Sequence, residues 1–288
     1  METVIIIDSA SDLSREYIEK SNIHLVPLTV IFKGKEYKDD LGQSLSNEEF
    51  YNAIKDGEMP STAQINVYQY TEEFRKHVKE GKAIIYVALS SALSGSYSSA
   101  CIAKETILEE FKDADINIID SKAASGGEGI LNYYAVEMLK NGASKQEIVN
   151  WLEQNKLRVN HWFTVDDLNH LKRGGRISST AALMGTLLDI KPILNVNDEG
   201  KLNSVTKVKG RKKSVRALSE ELDKRIVNAE DQVVIINQGD CLEDAKYLQR
   251  LVLEKHKVKE IIMGNIGPTI GSHTGPGVLS IFFLGEKR

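Results

Sequence analysis

Near its start the chain carries Val4-Ile5-Ile6-Ile7, an unbroken apolar run that halts at Asp8-Ser9. A strand apolar on both faces must be covered on both faces, so Thr3 to Ile7 predicts a buried parallel strand in a helix-flanked sheet. The device recurs. Ala83 to Leu89 stops at Ser90-Ser91, and Ile116 to Ile119 stops at Asp120-Ser121. Between these runs lie helix signals: one segment near Ser14 to Lys20, a capping box at Ser46-Asn47-Glu48-Glu49 opening a helix that ends near Gly57, and helical spacing from Asn66 to Lys79 with a stop at Gly81. Strand alternating with helix predicts a mostly parallel α/β sheet, whose ligands gather beyond the carboxyl ends of the strands.

Other segments are less regular. His24 to Phe32 reads as one further strand, held to an edge by Pro27. Pro60-Ser61-Thr62-Ala63-Gln64 reads as a polar loop. A helix after Ser121 finishes at Asn141-Gly142, and Ser144-Lys145-Gln146-Glu147 caps another. Beyond it come a strand at Val159 to Val165, a helical turn at Asp166 to Leu171, a break at Arg173-Gly174-Gly175-Arg176 and an apolar helix at Ala181 to Leu188. Ile190 to Asn195 and Lys201 to Val208 form a hairpin through Asp198-Glu199-Gly200. A helix from Lys212 to Ile226, a strand from Gln232 to Asn237, a helix from Leu242 to His256 and strands near Glu260 to Met263 and Val278 to Leu284 complete the chain. With 288 residues, two α/β domains are expected, 1–158 and 159–288, the first with a mostly parallel sheet and the second with a mixed one.

Composition removes several functions. Net charge is −4, so nothing favours nucleic acid, although Lys207, Lys209, Arg211, Lys212 and Lys213 crowd together as a solvated helix start or an acidic partner's contact. The two cysteines, Cys101 and Cys241, form no CxxC pair and suit a reducing compartment. The N-terminus lacks signal-peptide flanks and no apolar stretch has membrane-spanning length, so a cytoplasmic location is expected, with at most transient membrane contact.

Hydroxyls concentrate where a ligand belongs: Asp8-Ser9, Ser90-Ser91-Ala92-Leu93-Ser94-Gly95-Ser96 and Asp120-Ser121. For any one serine, helix capping is the better reading; the cluster as a whole points to an anion. The Gly/Pro-rich segment Gly267 to Gly277 reads as a loop holding His273 close to such a ligand. His24, His77, His161, His170 and His256 lie in periodic segments without metal-ligand spacing, so neither a metal nor another cofactor is expected. Walker A and GxGxxG signatures are missing. Ser94, His273 and Asp8 or Asp120 leave a serine esterase open, outside a GxSxG elbow. A binding or regulatory protein for another small anion is a further alternative.

Taken in order, several short segments resemble the DegV family over essentially the whole chain. They are Asp8-Ser9, Ile23 to Leu28, Pro60 to Gln64, Leu89 to Tyr97, Ile119 to Lys122, Val165 to Leu168, Gly174 to Ile177, Gly185 to Leu188, Lys191 to Leu194 and Ser272 to Gly275. The better-understood members of that family are fatty-acid-binding subunits of bacterial fatty acid kinase. The resemblance implies two α/β domains with one long-chain fatty acid, such as palmitate, threaded into a tunnel between apolar layers. It implies a carboxylate held by Thr62, Ser94 and His273 with the Gly95 N–H nearby. It also implies a carrier that presents its lipid to a kinase subunit for acyl-phosphate formation, with Arg176 acting there or at docking. Met184, Leu187, Leu188, Phe282 and Phe283 are candidate lining, although ordinary core is the simpler reading for most of them. The chain departs from the family's habit at Ala10 in place of Thr, Ala92 in place of Gly, Ala63-Gln64-Ile65 in place of Ser-Gln-Pro, and Lys209-Gly210 in place of Arg-Thr. These departures spare the three carboxylate ligands and bear on kinase coupling.

Overall fold

The computed structural model describes residues 1–178 and 189–288. The expected helix at Ala181 to Leu188, with Met184, Leu187 and Leu188, lies outside the described residues.

Strands β1 (Thr3–Asp8), β2 (His24–Val26), β3 (Thr29–Phe32), β4 (Lys35–Lys38), β5 (Ser61–Ala63), β6 (Ala83–Ala88) and β7 (Ile116–Asp120) belong to the first half. Helices α1 (Arg15–Ser21), α2 (Asn47–Lys55), α3 (Val67–Lys79), α4 (Ser96–Glu110), α5 (Gly126–Lys140) and α6 (Lys145–Asn155) alternate with them. β2, β1, β6 and β7 pair side by side, all parallel, as the apolar runs require. In the second half, β8 (Val159–Thr164), β9 (Ile190–Val196), β10 (Leu202–Lys209), β11 (Val233–Gln238), β12 (Glu260–Asn265) and β13 (Leu279–Leu284) build a mixed sheet in the order β10-β9-β8-β13-β11-β12. Only its β11–β12 pair is parallel. Helices α7 (Asn169–Arg173), α8 (Arg211–Arg225), α9 (Leu242–Lys255) and α10 (Pro268–Thr274) complete the described elements. None of the described helices is long and apolar enough to cross a membrane.

Three expectations need correcting. The single strand His24 to Phe32 is two strands in different sheets. β2 edges the parallel sheet, whereas β3 joins β4 and β5 in a small antiparallel sheet. Pro27 has no N–H for a ladder, and the chain turns there, with the Leu28 N–H donated to Ser9 Oγ at 3.0 Å. The expected loop at Pro60 to Gln64 is β5, paired to β3 through Thr62 and Val30. His273 sits on the short helix α10, begun by Pro268 at its first turn, not in an open loop.

α5 lies between the two large sheets. Ile130, Leu131, Ala135 and Val136 share one core with Ile5, Ile7, Ile85 and Val87 of the parallel sheet and with Ile235, Phe282 and Leu284 of the mixed sheet. So tight a passage needs residues without side chains. A Cβ on Gly126 would lie 2.6 Å from the Phe282 ring, and one on Gly127 would lie 1.9 Å from His161 Nε2. Second cores fill the outer face of each sheet, against α3 and α4 in one case and α8 and α9 in the other.

Candidate functional site

β1 ends in Asp8, which is wholly buried and takes three hydrogen bonds: from the Ala10 N–H at 3.0 Å, the Leu89 N–H at 3.0 Å and the Tyr86 hydroxyl at 2.8 Å. These bonds fix the turn that leads from β6 into the serine loop. Ser90 Oγ then donates to Gly200 O at 2.9 Å, fastening that turn to the β9–β10 hairpin. Gly200 has φ +81° and no room for a Cβ beside Ser90, so the position demands glycine. Burial pushes the Asp8 carboxyl up to about 6.

The helix carrying His273 is held from the first half of the chain. Asp12 Oδ1 accepts the Gly267 N–H at 2.8 Å and Asp39 Oδ2 accepts the Thr269 N–H at 3.0 Å, so two distant carboxylates satisfy N–H groups at its first turn. Ser125 Oγ donates to Asp12 Oδ2 at 2.5 Å, and Tyr51 donates its hydroxyl to Ile266 O at 2.9 Å. Burial raises the carboxyls of Asp12 and Asp39.

These anchors frame a cavity of about 220 Å³ between the halves. That exceeds the ~150 Å³ apolar cavity known to admit benzene. Leu28, Leu89, Leu93, Phe163, Leu171, Val196, Leu202, Ile266, Ile270, Val278 and Phe282 make its walls mostly apolar. Thr62, Gln64, Ser94, Gly95, Arg176 and His273 line it as well, and no carboxylate does among the described residues. Of the candidate lining residues, Phe282 faces the cavity, whereas Phe283 belongs to the core on the outer face of the mixed sheet.

The structure thus brings together Thr62, Ser94, Gly95, Arg176 and His273, drawn from four separate stretches of chain. Thr62 Oγ1 and His273 Nε2 are 2.8 Å apart in a hydrogen bond. His273 Nδ1 is buried without a partner. Gly174 packs against it so closely that a Cβ there would lie 2.2 Å from Nδ1. Burial, with Arg176 and then Arg173 nearby, lowers the imidazole to about 4, so the ring is neutral at pH 7. Ser94 Oγ lies 3.0 Å from Ser96 Oγ and accepts the Ser96 N–H at 3.2 Å. Arg176 donates from Nε to Leu93 O at 3.2 Å and from a terminal nitrogen to Gly174 O. It forms no salt bridge with a described carboxylate.

Gln64 was not singled out by sequence. Its side chain lies across Gly95, where a Cβ would come within 2.0 Å of Oε1, and its Nε2 donates to Ser99 Oγ at 3.0 Å. The alternation of β5, continued one residue past its end, aims Thr62 and Gln64 to one side.

An esterase triad is not assembled. His273 bonds Thr62 rather than Ser94, and no described carboxylate orients its ring. Asp8 is engaged by Tyr86 and two backbone N–H groups, and Asp120 by Ser91 and Lys122.

Known proteins resemble this chain from end to end. The DegV family model, described as an uncharacterised protein of the DegV family, matches residues 2–286. A DegV domain-containing protein of Clostridium perfringens is 50% identical over 99% of this chain and 98% of its own. A stearic acid-binding protein from Eubacterium ventriosum superposes with a TM-score of 0.87 at 30% identity, covering 99% of each chain. A DegV family protein from Thermus thermophilus, described by its fatty acid binding, superposes with a TM-score of 0.90 at 26% identity, covering 99% of this chain and 100% of its own.

Proposed function

Because the chain belongs to the DegV family, we propose that it is a cytoplasmic carrier of one long-chain fatty acid, acyl chain in the cavity and carboxylate against Thr62, Ser94, Gly95 and His273. The observation that carries this reading is the composition of the cavity wall: mostly apolar, with Thr62, Ser94, His273 and the Arg176 guanidinium together on it, further polar lining from Ser125, His161, Thr269, Thr274 and Ser280, and no acid among the described lining residues.

The energetics agree. Burying the roughly fifteen apolar carbons of a palmitate-length chain yields on the order of 12 kcal/mol gross. Lost motion and chain ordering consume much of that, and sub-micromolar affinity remains within reach. A buried carboxylate is costly unless it is hydrogen-bonded. A neutral His273 can donate from Nε2 to Thr62, whose hydroxyl is then free to donate outward, and Arg176 adds a positive field without a competing acid. Thr62, Ser94 and His273 orient the acid and perform no chemistry of their own.

We further propose that the loaded protein presents the carboxylate to a partner kinase for conversion to an acyl-phosphate, with Arg176, half-buried beside the polar end, meeting that partner. The first experiment is mass spectrometry of solvent extracts from purified protein. A C14–C20 acid at near one per chain is expected. Repeated absence of any such acid, with no uptake of added palmitate, would sink the reading.

A further inference from the structure

We propose that His24, Glu73 and His77 form a binding site for a divalent transition-metal ion of the zinc type, on the flank of the parallel sheet and apart from the acyl cavity. Glu73 and His77 stand four residues apart on α3, hence on one face of the helix. β2 at the sheet edge brings His24 against them. One potential ligand atom from each residue lies within 4.8 Å of the others, and the two imidazoles meet edge to face with ring centres 4.2 Å apart. Zinc bonds of about 2.0–2.2 Å in a tetrahedron place neighbouring ligand atoms roughly 3.3 Å apart. His77 Nε2 and Glu73 Oε1 are already 2.9 Å apart, so side-chain adjustment closes the site without moving backbone.

The simpler reading is a helix-face His77–Glu73 hydrogen bond. It accounts for Glu73 and one nitrogen only. His77 is 0 % exposed and its Nε2 holds Glu73, while the His24 ring packs edge-on against it and is left outside that bond. A metal ion would engage the imidazole of His24 and the pair beside it at once. Two imidazoles with one carboxylate form a donor set for zinc and its neighbours rather than for calcium or magnesium. The location helps, because His77 lies in the last turn of α3, where its carbonyl accepts the N–H groups of Glu80 and Lys82 and the helix dipole favours a cation. Lys76 and Lys82 lie near enough to oppose a cation there. His24 and Glu73 are only partly buried, leaving a fourth position open to water. The expectation of no metal rested on spacing along the chain, which hides a ligand delivered from another element.

Calorimetric titration of the full chain with zinc chloride tests this, alongside H24Q and E73Q, which alter the two partly exposed ligands. One ion per chain is expected, with affinity falling at least about tenfold in each variant and unchanged in H273A. Histidine ring NMR of the unmodified protein gives an independent readout, in which zinc should shift His24 and His77 but not the other four histidines. No binding up to about 100 µM zinc, undiminished binding in both variants, or shifts confined to other histidines would each overturn the assignment.

Discussion

Two buried polar groups of this molecule are opposites. At the cavity end, Thr62, Ser94, His273 and Arg176 supply donors with no acid among them. Asp8, Asp12 and Asp39 supply acceptors, each already engaged by backbone N–H groups or hydroxyls, Asp8 within the first half and Asp12 and Asp39 across to the second. These three carboxylates find their partners within the chain and so are structural. At the cavity end the acceptor, under the proposed function, is the carboxylate of the lipid. Buried polar groups need partners, and what distinguishes a fastening from a binding site is where those partners come from.

The sharpest way to break this contrast is Asp12→Ala. It leaves the Gly267 N–H and the Ser125 hydroxyl unmatched and puts alanine at φ +51°. A loss of about 3–4 kcal/mol in urea unfolding is expected, and lipid retention should fall with it because the helix carrying His273 loses its anchor. Thr62→Ala with Ser94→Ala should do the reverse. Two hydrogen bonds to a carboxylate are worth roughly a hundredfold in retention, while the lipid-free protein stays within about 1 kcal/mol of wild type. Equal stability losses in the two experiments would erase the distinction.

pH separates the groups by sign. His273 is lowered from 6.5 to about 4, so its contribution is fully present above pH 6.5 and is lost as pH falls through 4. Asp8 is raised from 3.8 to about 6, so its contribution is fully present below 3.8 and is lost as pH rises through 6. Between pH 4 and 7 the stability of lipid-free wild type relative to H273Q should therefore rise, by roughly 2–3 kcal/mol after screening. Relative to D8N it should fall. Matching slopes would show that one of the two environments is misread. The smallest expected effect belongs to Gly95→Ala, whose Cβ displaces the Gln64 side chain. Retention should drop by a few fold, measured by displacement of a fluorescent fatty acid, with stability almost unchanged.

Much of this arrangement was legible in the sequence. Val4 to Ile7, Ala83 to Leu89 and Ile116 to Ile119 declared a parallel sheet because burial on both faces leaves no room for alternation. The polar ends of those strands pointed to the side where Ser94 and Gly95 lie. Thr62 entered through family likeness and His273 through its Gly/Pro-rich segment as well, but the local forms given to them were wrong. β5 is three residues long and becomes a strand only through β3. The helix of His273 follows Gly267 and contains Pro268 and Gly271, which read as loop, and its first turn is satisfied by Asp12 and Asp39, more than two hundred positions away. No window along the chain contains such partners. Pro27 was noticed, but an edge position was the milder consequence; the stronger one was that the strand divides there.

Helix α5, threaded between both sheets through Gly126 and Gly127, implies that the chain cannot be cut cleanly at its midpoint. A fragment of residues 159–288 would leave Ile235 and Phe282 facing water, and a fragment of 1–158 would carry a helix greasy on the side its missing partner should cover. Chimeras between relatives are thus best built by exchanging that helix together with whichever sheet is replaced, since its bare glycine surface and the aromatic ring lying on it were shaped for one another.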